Sequence, residues 1–188
     1  MYDWTTHTHT HLGGHCSHGC VYCYVQAMGE RFPEVKAKYS GPPCVLQGEL
    51  TVKYGKGRTI FVEHMADLFA NGVADDMIGV ILDHCREFPE NTFVFQSKNP
   101  ARMARFIGLM PPSVILGTTI ETNRPTPAVS SAPSPLDRYE ALQTIRAQLK
   151  NTTAKIFVTV EALSKPRSRM KFPGFPGDGR EPRGRSRS

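Results

Sequence analysis

Four short apolar runs limit what this chain can fold into: Thr59-Ile60-Phe61-Val62, Thr92-Phe93-Val94-Phe95, Val114-Ile115-Leu116 and Ile156-Phe157-Val158-Thr159-Val160. Each is β-branched or aromatic and continuous rather than alternating, the pattern of strands buried on both faces of a parallel sheet. Helical patterns fill the intervals. Met77, Ile78, Ile81, Leu82, Cys85 and Phe88 make one apolar face that Pro89 terminates. Asn99-Pro100 reads as an N-cap and first helical residue ahead of Met103, Phe106, Ile107 and Met110. Ser134-Pro135-Leu136-Asp137 reads as a cap with an acid at its third helical position, leading into Tyr139, Leu142, Ile145 and Leu149. With a first strand inside residues 2–9 and a first helix inside 20–31, strand and helix alternate, giving five strands and four intervening helices. That alternation predicts an α/β domain with right-handed crossovers, interrupted by loops near residues 32–58 and 123–133.

The 188 residues favour one domain with a substantial core. No apolar run approaches the roughly 20 residues of a membrane-spanning helix, so no membrane partner is expected. The start, Met1-Tyr2-Asp3-Trp4, has neither a basic segment nor an apolar one of the secretory kind. Five cysteines, an odd number with three inside eight residues, suit metal ligation better than disulfide pairing, and the expected compartment is the reducing cytoplasm. Cys85 falls on the apolar helix face as a buried thiol, and Cys44 in a loop as a stray one.

The chemistry concentrates in His15-Cys16-Ser17-His18-Gly19-Cys20-Val21-Tyr22-Cys23-Tyr24, a C-x3-C-x2-C arrangement. Three thiolates so close can wrap one side of a compact centre. A [4Fe–4S] cluster normally takes four cysteines, so three leave one iron open to an outside ligand. Gly19 supplies the tight turn, and backbone N–H groups at the start of the next helix favour the negative sulfurs. The same three cysteines with His15 or His18 also suffice chemically for a tetrahedral zinc site.

The cysteine motif, with an aromatic residue just before its last cysteine and a strand ahead of it, resembles the radical S-adenosylmethionine (radical SAM) superfamily. Phe61-Val62-Glu63-His64-Met65-Ala66-Asp67-Leu68-Phe69, Gln96-Ser97-Lys98-Asn99-Pro100 and Leu116-Gly117-Thr118-Thr119-Ile120-Glu121-Thr122-Asn123 are similar to a phage-associated, functionally uncharacterised radical SAM group distantly related to spore photoproduct lyase. The resemblance covers residues 1–163 and implies a partial (β/α) barrel of the radical SAM type with about five parallel strands. It implies that Cys16, Cys20 and Cys23 hold a [4Fe–4S] cluster whose fourth iron is chelated by S-adenosyl-L-methionine. One-electron reduction would cleave the sulfonium to a 5′-deoxyadenosyl radical that abstracts hydrogen from an unidentified substrate, with a nucleic acid among the candidates and a reducing electron donor as partner. Tyr22 would pack near the adenine. Glu63-His64-Met65 stands where the superfamily has a Gly-Gly-Glu stretch.

Spacing independently marks a pocket. Ligand groups in parallel α/β folds gather at the C-terminal strand ends. Polar residues follow the apolar runs there: Glu63 and His64, Gln96 and Lys98, Thr119 and Glu121, then Glu161. Lys98 suits a carboxylate or phosphate, while Glu121 and Asn123 suit ribose hydroxyls or an amine. With Tyr22 implied by the resemblance and the others marked by spacing, the expected cofactor-binding set is Tyr22, Glu63, Lys98, Thr119, Glu121 and Asn123. His7, His9 and His11 alternate and read as surface histidines; Asp75, Asp76 and Asp83 read as a solvated helix face.

Residues 164–188 break the pattern, with only Met170, Phe172 and Phe175 apolar among four prolines and four glycines. This composition predicts a disordered basic tail. Similar proteins continue into a sixth β/α unit, so the chain reads as a truncated or frameshifted member. The tail carries eight basic and two acidic side chains, the whole of the formal +6, while residues 1–163 are balanced. The alternative function is a non-catalytic zinc- or iron–sulfur-binding protein whose tail contacts nucleic acid through weak, salt-sensitive phosphate pairing.

Overall fold

The computed structural model describes residues 2–124, 128–149 and 153–160. The expectations for the tail and for Glu161 lie outside those residues. The described elements are β1 (His7–His9), β2 (Leu12–Gly13), α1 (Tyr24–Arg31), α2 (Pro33–Lys38), β3 (Cys44–Val45), β4 (Thr59–Val62), α3 (Asp75–Arg86), β5 (Thr92–Gln96), α4 (Pro100–Ala104), β6 (Val114–Ile120), α5 (Pro135–Gln148) and β7 (Lys155–Val160).

The four apolar runs become β4 to β7, and with β1 they form a five-stranded parallel sheet in chain order, β1-β4-β5-β6-β7. Register aligns Ile60 with Phe93 and Phe93 with Val114, then Val62 with Phe95 and Phe95 with Leu116. These side chains share one face, where they meet Ile78, Ile81 and Leu82 of α3, Met103 of α4 and Leu142 and Ile145 of α5 in a single core. The opposite face carries Phe61, Gln96, Gly117, Thr119, Phe157 and Thr159 by the same parity. Here the N-terminal segment lies across the strands. Tyr2 stacks on Phe61 at 5.7 Å between ring centroids, and Tyr2 and Trp4 both meet Phe157 edge-on.

Only the central strands are buried on both sides. β4 alternates, with Ile60 and Val62 buried and Thr59 and Phe61 partly open, and every residue of β7 keeps some exposure. Among the described residues β1 and β7 are the edges of an open sheet. No described helix is long and apolar enough to cross a membrane.

The helix signals hold at their starts. Asn99 accepts from the Arg102 N–H at 3.3 Å, and Ser134 and Asp137 form a reciprocal capping box. α4 is shorter than its apolar spacing suggests: it ends at Ala104 and gives way to a 3-10 turn over residues 107–109. The segment expected as one long loop, residues 32–58, contains α2 and β3, and β3 pairs antiparallel with β2 so that Cys44 stands opposite Gly13. Asp75 is no idle solvated acid: its carboxylate bonds Arg102 at 2.5 Å and Arg105 at 3.1 Å, tying α3 to α4. Cys85 is fully buried in the core, as expected of a structural thiol.

Candidate functional site

The cysteine segment runs from β2 to α1 across the C-terminal edge of the sheet. Gly19 turns the chain with φ +55°, a left-handed conformation natural to glycine. Backbone bonds from the Gly19 N–H to Cys16 C=O and from the Cys23 N–H to Cys20 C=O, at 3.4 and 3.0 Å, fold the three cysteines into consecutive turns. Cys23 then serves as N-cap of α1, and no side chain caps that terminus.

Two sets of contacts fix this loop. From the sheet side, His18 Nε2 lies 2.8 Å from Asp67 Oδ2, and the pair is almost enclosed at 4% and 11% exposure. Asp67 also accepts from the backbone N–H groups of Lys98 at 2.8 Å and Phe69 at 3.0 Å. Burial pushes the Asp67 carboxyl up, but the His18 hydrogen bond and charge, with the bonds from Ser97 and Lys98, hold it below the usual range. From the other side, residues 128–132 clasp the loop. The Val21 N–H donates to Val129 C=O at 3.0 Å and the Ser131 N–H to His18 C=O at 2.7 Å. The Ser130 hydroxyl lies 3.3 Å from Cys20 Sγ.

Cys16, Cys20 and Cys23 line a cleft of about 630 Å³ together with His18, Tyr22, Glu63, His64, Met65, Asp67, Gln96, Lys98, Thr119 and Thr159. That size lies in the range of small-molecule sites. The same three cysteines, with Val25 and Met65, also line a smaller cavity of about 270 Å³ against α1 and α2. The thiols thus stand at the neck between the two spaces. Burial pushes the Cys16 thiol up to about 12, with Asp67, Cys20 and Cys23 adding to the rise. An isolated thiolate is unwelcome there unless a cation accompanies it. Among the described residues no three His, Cys, Asp or Glu side chains converge closely enough to hold a single metal ion.

The polar strand ends divide into three groups. Glu121, 5% exposed, forms a bidentate pair with buried Arg138 of α5 (2.8 and 3.2 Å), lies 3.6 Å from Lys98 Nζ and accepts the Tyr22 hydroxyl. Burial opposes its ionisation, but the Arg138 and Tyr22 hydrogen bonds and the Arg138 and Lys98 charges hold its carboxyl below the usual range. The Lys98 ammonium stands 5.3 Å from the Tyr22 ring centroid. Thr119 belongs to a second group, in which Gln96 donates to it at 2.6 Å and to Thr159 at 3.1 Å and accepts from the Tyr2 hydroxyl at 2.7 Å.

Glu63 anchors the third group. Its φ of +58° is unusual for a side-chain-bearing residue. Its carboxylate accepts from the His11 N–H at 2.7 Å and the Leu12 N–H at 3.2 Å and lies 2.8 Å from His11 Nδ1. Behind it, His11 Nε2 meets Tyr54 Oη at 2.9 Å and His84 Nδ1 at 3.0 Å. The alternating histidines are therefore not a surface face. His11 is fully buried, and the pKa of His9, whose Nε2 stands 3.5 Å from a Glu49 carboxylate oxygen, is lowered to about 4 by burial and by the His11 charge. Only His7 is open; His9 turns inward against Tyr54, Glu49 and His84 of α3.

Of the expected site residues, Cys16, Cys20, Cys23, Tyr22, Glu63, Lys98 and Thr119 line one cleft, and Glu121 stands behind Tyr22 and Lys98. Asn123 is exposed and does not line it. Sequence reasoning missed Asp67, Arg138, Tyr2 and Ser130. Asp67 carried a faint signal, five residues past the end of β4 within the Glu63–Asp67 segment. Nothing distinguished Arg138 from a surface arginine of an amphipathic helix.

Comparison with known proteins places the chain: it belongs to the family described as Protein of unknown function (DUF5131), whose model matches residues 1–155. No curated protein and no solved structure matches it.

Proposed function

We propose that this chain is a radical SAM iron–sulfur enzyme, with Cys16, Cys20 and Cys23 as the ligands of a [4Fe–4S] cluster and S-adenosyl-L-methionine as the second cofactor in the adjoining cleft. One observation carries the reading: three thiols that do not converge on a point nevertheless ring the neck of a cleft edged by the C-terminal ends of four parallel strands. A cuboidal cluster is wider than an ion and asks for thiols around a cavity rather than around a point, so the donor set fits it better than it fits zinc. Sequential strand order with the helices of the core on one face is also the order of a partial (β/α) barrel, whose ligands gather at this edge. When bound, these cofactors supply one-electron sulfonium cleavage and hydrogen abstraction from a substrate.

The chain's own part is positioning. The His18–Asp67 pair pins the cysteine loop to the sheet, and the segment over residues 128–132 pins it from above. Lys98 provides a partly buried cation beside Tyr22 that suits a carboxylate, while Glu63, held by three N–H contacts, faces the same cleft. Tyr2, Gln96, Thr119 and Thr159 give the far wall hydroxyl and amide groups for a neutral polar substrate. Anaerobic reconstitution with iron and sulfide, followed by S-adenosyl-L-methionine and a low-potential reductant, should release 5′-deoxyadenosine detectable by chromatography. Its absence from fully loaded protein would overturn the catalytic reading.

A further inference from the structure

We infer that the Ser130 hydroxyl is a positioning residue for Cys20 that donates to its sulfur and raises the reduction potential of the centre the cysteines hold. This rests on the reading of Cys16, Cys20 and Cys23 as cluster ligands.

One proton decides the arrangement around Ser130. Ser130 Oγ has three neighbours: the Ala132 N–H, which donates to it at 3.0 Å, the His18 carbonyl at 3.3 Å and Cys20 Sγ at 3.3 Å. A hydroxyl has a single hydrogen to give. With Cys20 as a thiol, the S–H donates to Ser130 and Ser130 donates to the His18 carbonyl. A sulfur bound to iron is a thiolate and has no hydrogen to offer. Ser130 must then turn its own hydrogen to sulfur or leave the thiolate facing an oxygen lone pair. The His18 carbonyl can release it, because the Ser131 N–H already donates there at 2.7 Å. The Ala132 N–H stays on the hydroxyl oxygen in both arrangements and polarises it toward sulfur. The clasp over residues 128–132 thus holds a donor whose alternative acceptor is satisfied without it.

Reduction adds negative charge that spreads onto the sulfurs, so a donor to sulfur stabilises the reduced state more than the oxidised one. The effect of one neutral donor corresponds to about a three- to tenfold change in the reduction equilibrium.

The test is a potentiometric titration of the reconstituted full chain followed by EPR, comparing wild type with Ser130→Ala at equal iron and sulfide content. The expected result is a lower potential in the variant, with the reduction equilibrium constant down about three- to tenfold. The isosteric pair Ser130→Thr and Ser130→Val repeats the comparison with the side-chain bulk retained, in case the alanine variant does not assemble. Threonine should restore the wild-type potential and valine should not. Equal potentials across threonine and valine would overturn the inference while leaving the cluster intact. A wild-type chain that takes up no cluster would instead overturn the parent reading.

Discussion

Asp67 shows how much one side chain sets at this site. It fixes His18 in the cysteine loop, the Lys98 backbone at the end of β5 and the turn after β4 with a single carboxylate. Removing the carboxylate leaves the enclosed His18 ring and the Lys98 and Phe69 N–H groups without their acceptor, so Asp67→Ala should cost about 2–3 kcal/mol of folding stability, measured by chemical denaturation at neutral pH. The sign of its pH dependence follows from the lowered carboxyl. Its stabilisation is complete above the unfolded aspartate value of about 3.9 and is lost as pH falls through the lower folded value. Wild type should therefore weaken in acid more steeply than Asp67→Ala, and parallel acid limbs would contradict this. At the ligands, Cys20→Ala should leave the fold intact and abolish iron and sulfide retention; full retention would remove Cys20 from the ligand set. The cysteines were legible in the sequence because spacing alone encodes them. Asp67 and Arg138 were not, because their importance lies in what is folded against them from 49 and 17 residues away.

Among the elements, β6 and β7 carry a tight contact. Gly117 faces the cleft side of the sheet, and a Cβ there would stand 2.3 Å from the Phe157 ring. That ring in turn meets Tyr2 and Trp4. Gly117→Ala should therefore displace Phe157 from the N-terminal aromatics and destabilise by about 1–3 kcal/mol, with near-ultraviolet circular dichroism reporting the altered Trp4 environment. Unchanged stability and spectrum would contradict the contact. Strands β5 and β6 and helices α3 and α5 were readable because burial wrote continuous or 3.6-residue apolar patterns into them, and β4 and β7 because Phe61 and Phe157 carry the apolar run onto the face that Tyr2 covers. The β2–β3 pair is two residues per strand, too short for any period to register. α2 escaped because none of its residues is buried, leaving no apolar stripe to see. His9 and His11 were misread as a surface face because alternation shows which residues share a side, not which side is covered.

For the whole molecule, charge is a poor guide to partners. The formal +6 belongs to residues 164–188, outside the described fold, and residues 1–163 carry equal numbers of acidic and basic side chains. What distinguishes the folded part is an arrangement: five parallel strands in chain order, a core on one face, and three thiols at the neck of a cleft across the C-terminal strand ends. On the function proposed above, the cysteines hold a four-iron cluster with one iron open to S-adenosyl-L-methionine. The most direct measurement is EPR of the anaerobically reconstituted, reduced chain before and after adding that cofactor, with iron and sulfide determined on the same sample. The expected result is about four irons and four sulfides per chain, and a reduced-cluster signal whose g-values shift on addition. A colourless chain that binds zinc in their place, or a cluster signal indifferent to S-adenosyl-L-methionine, would contradict it.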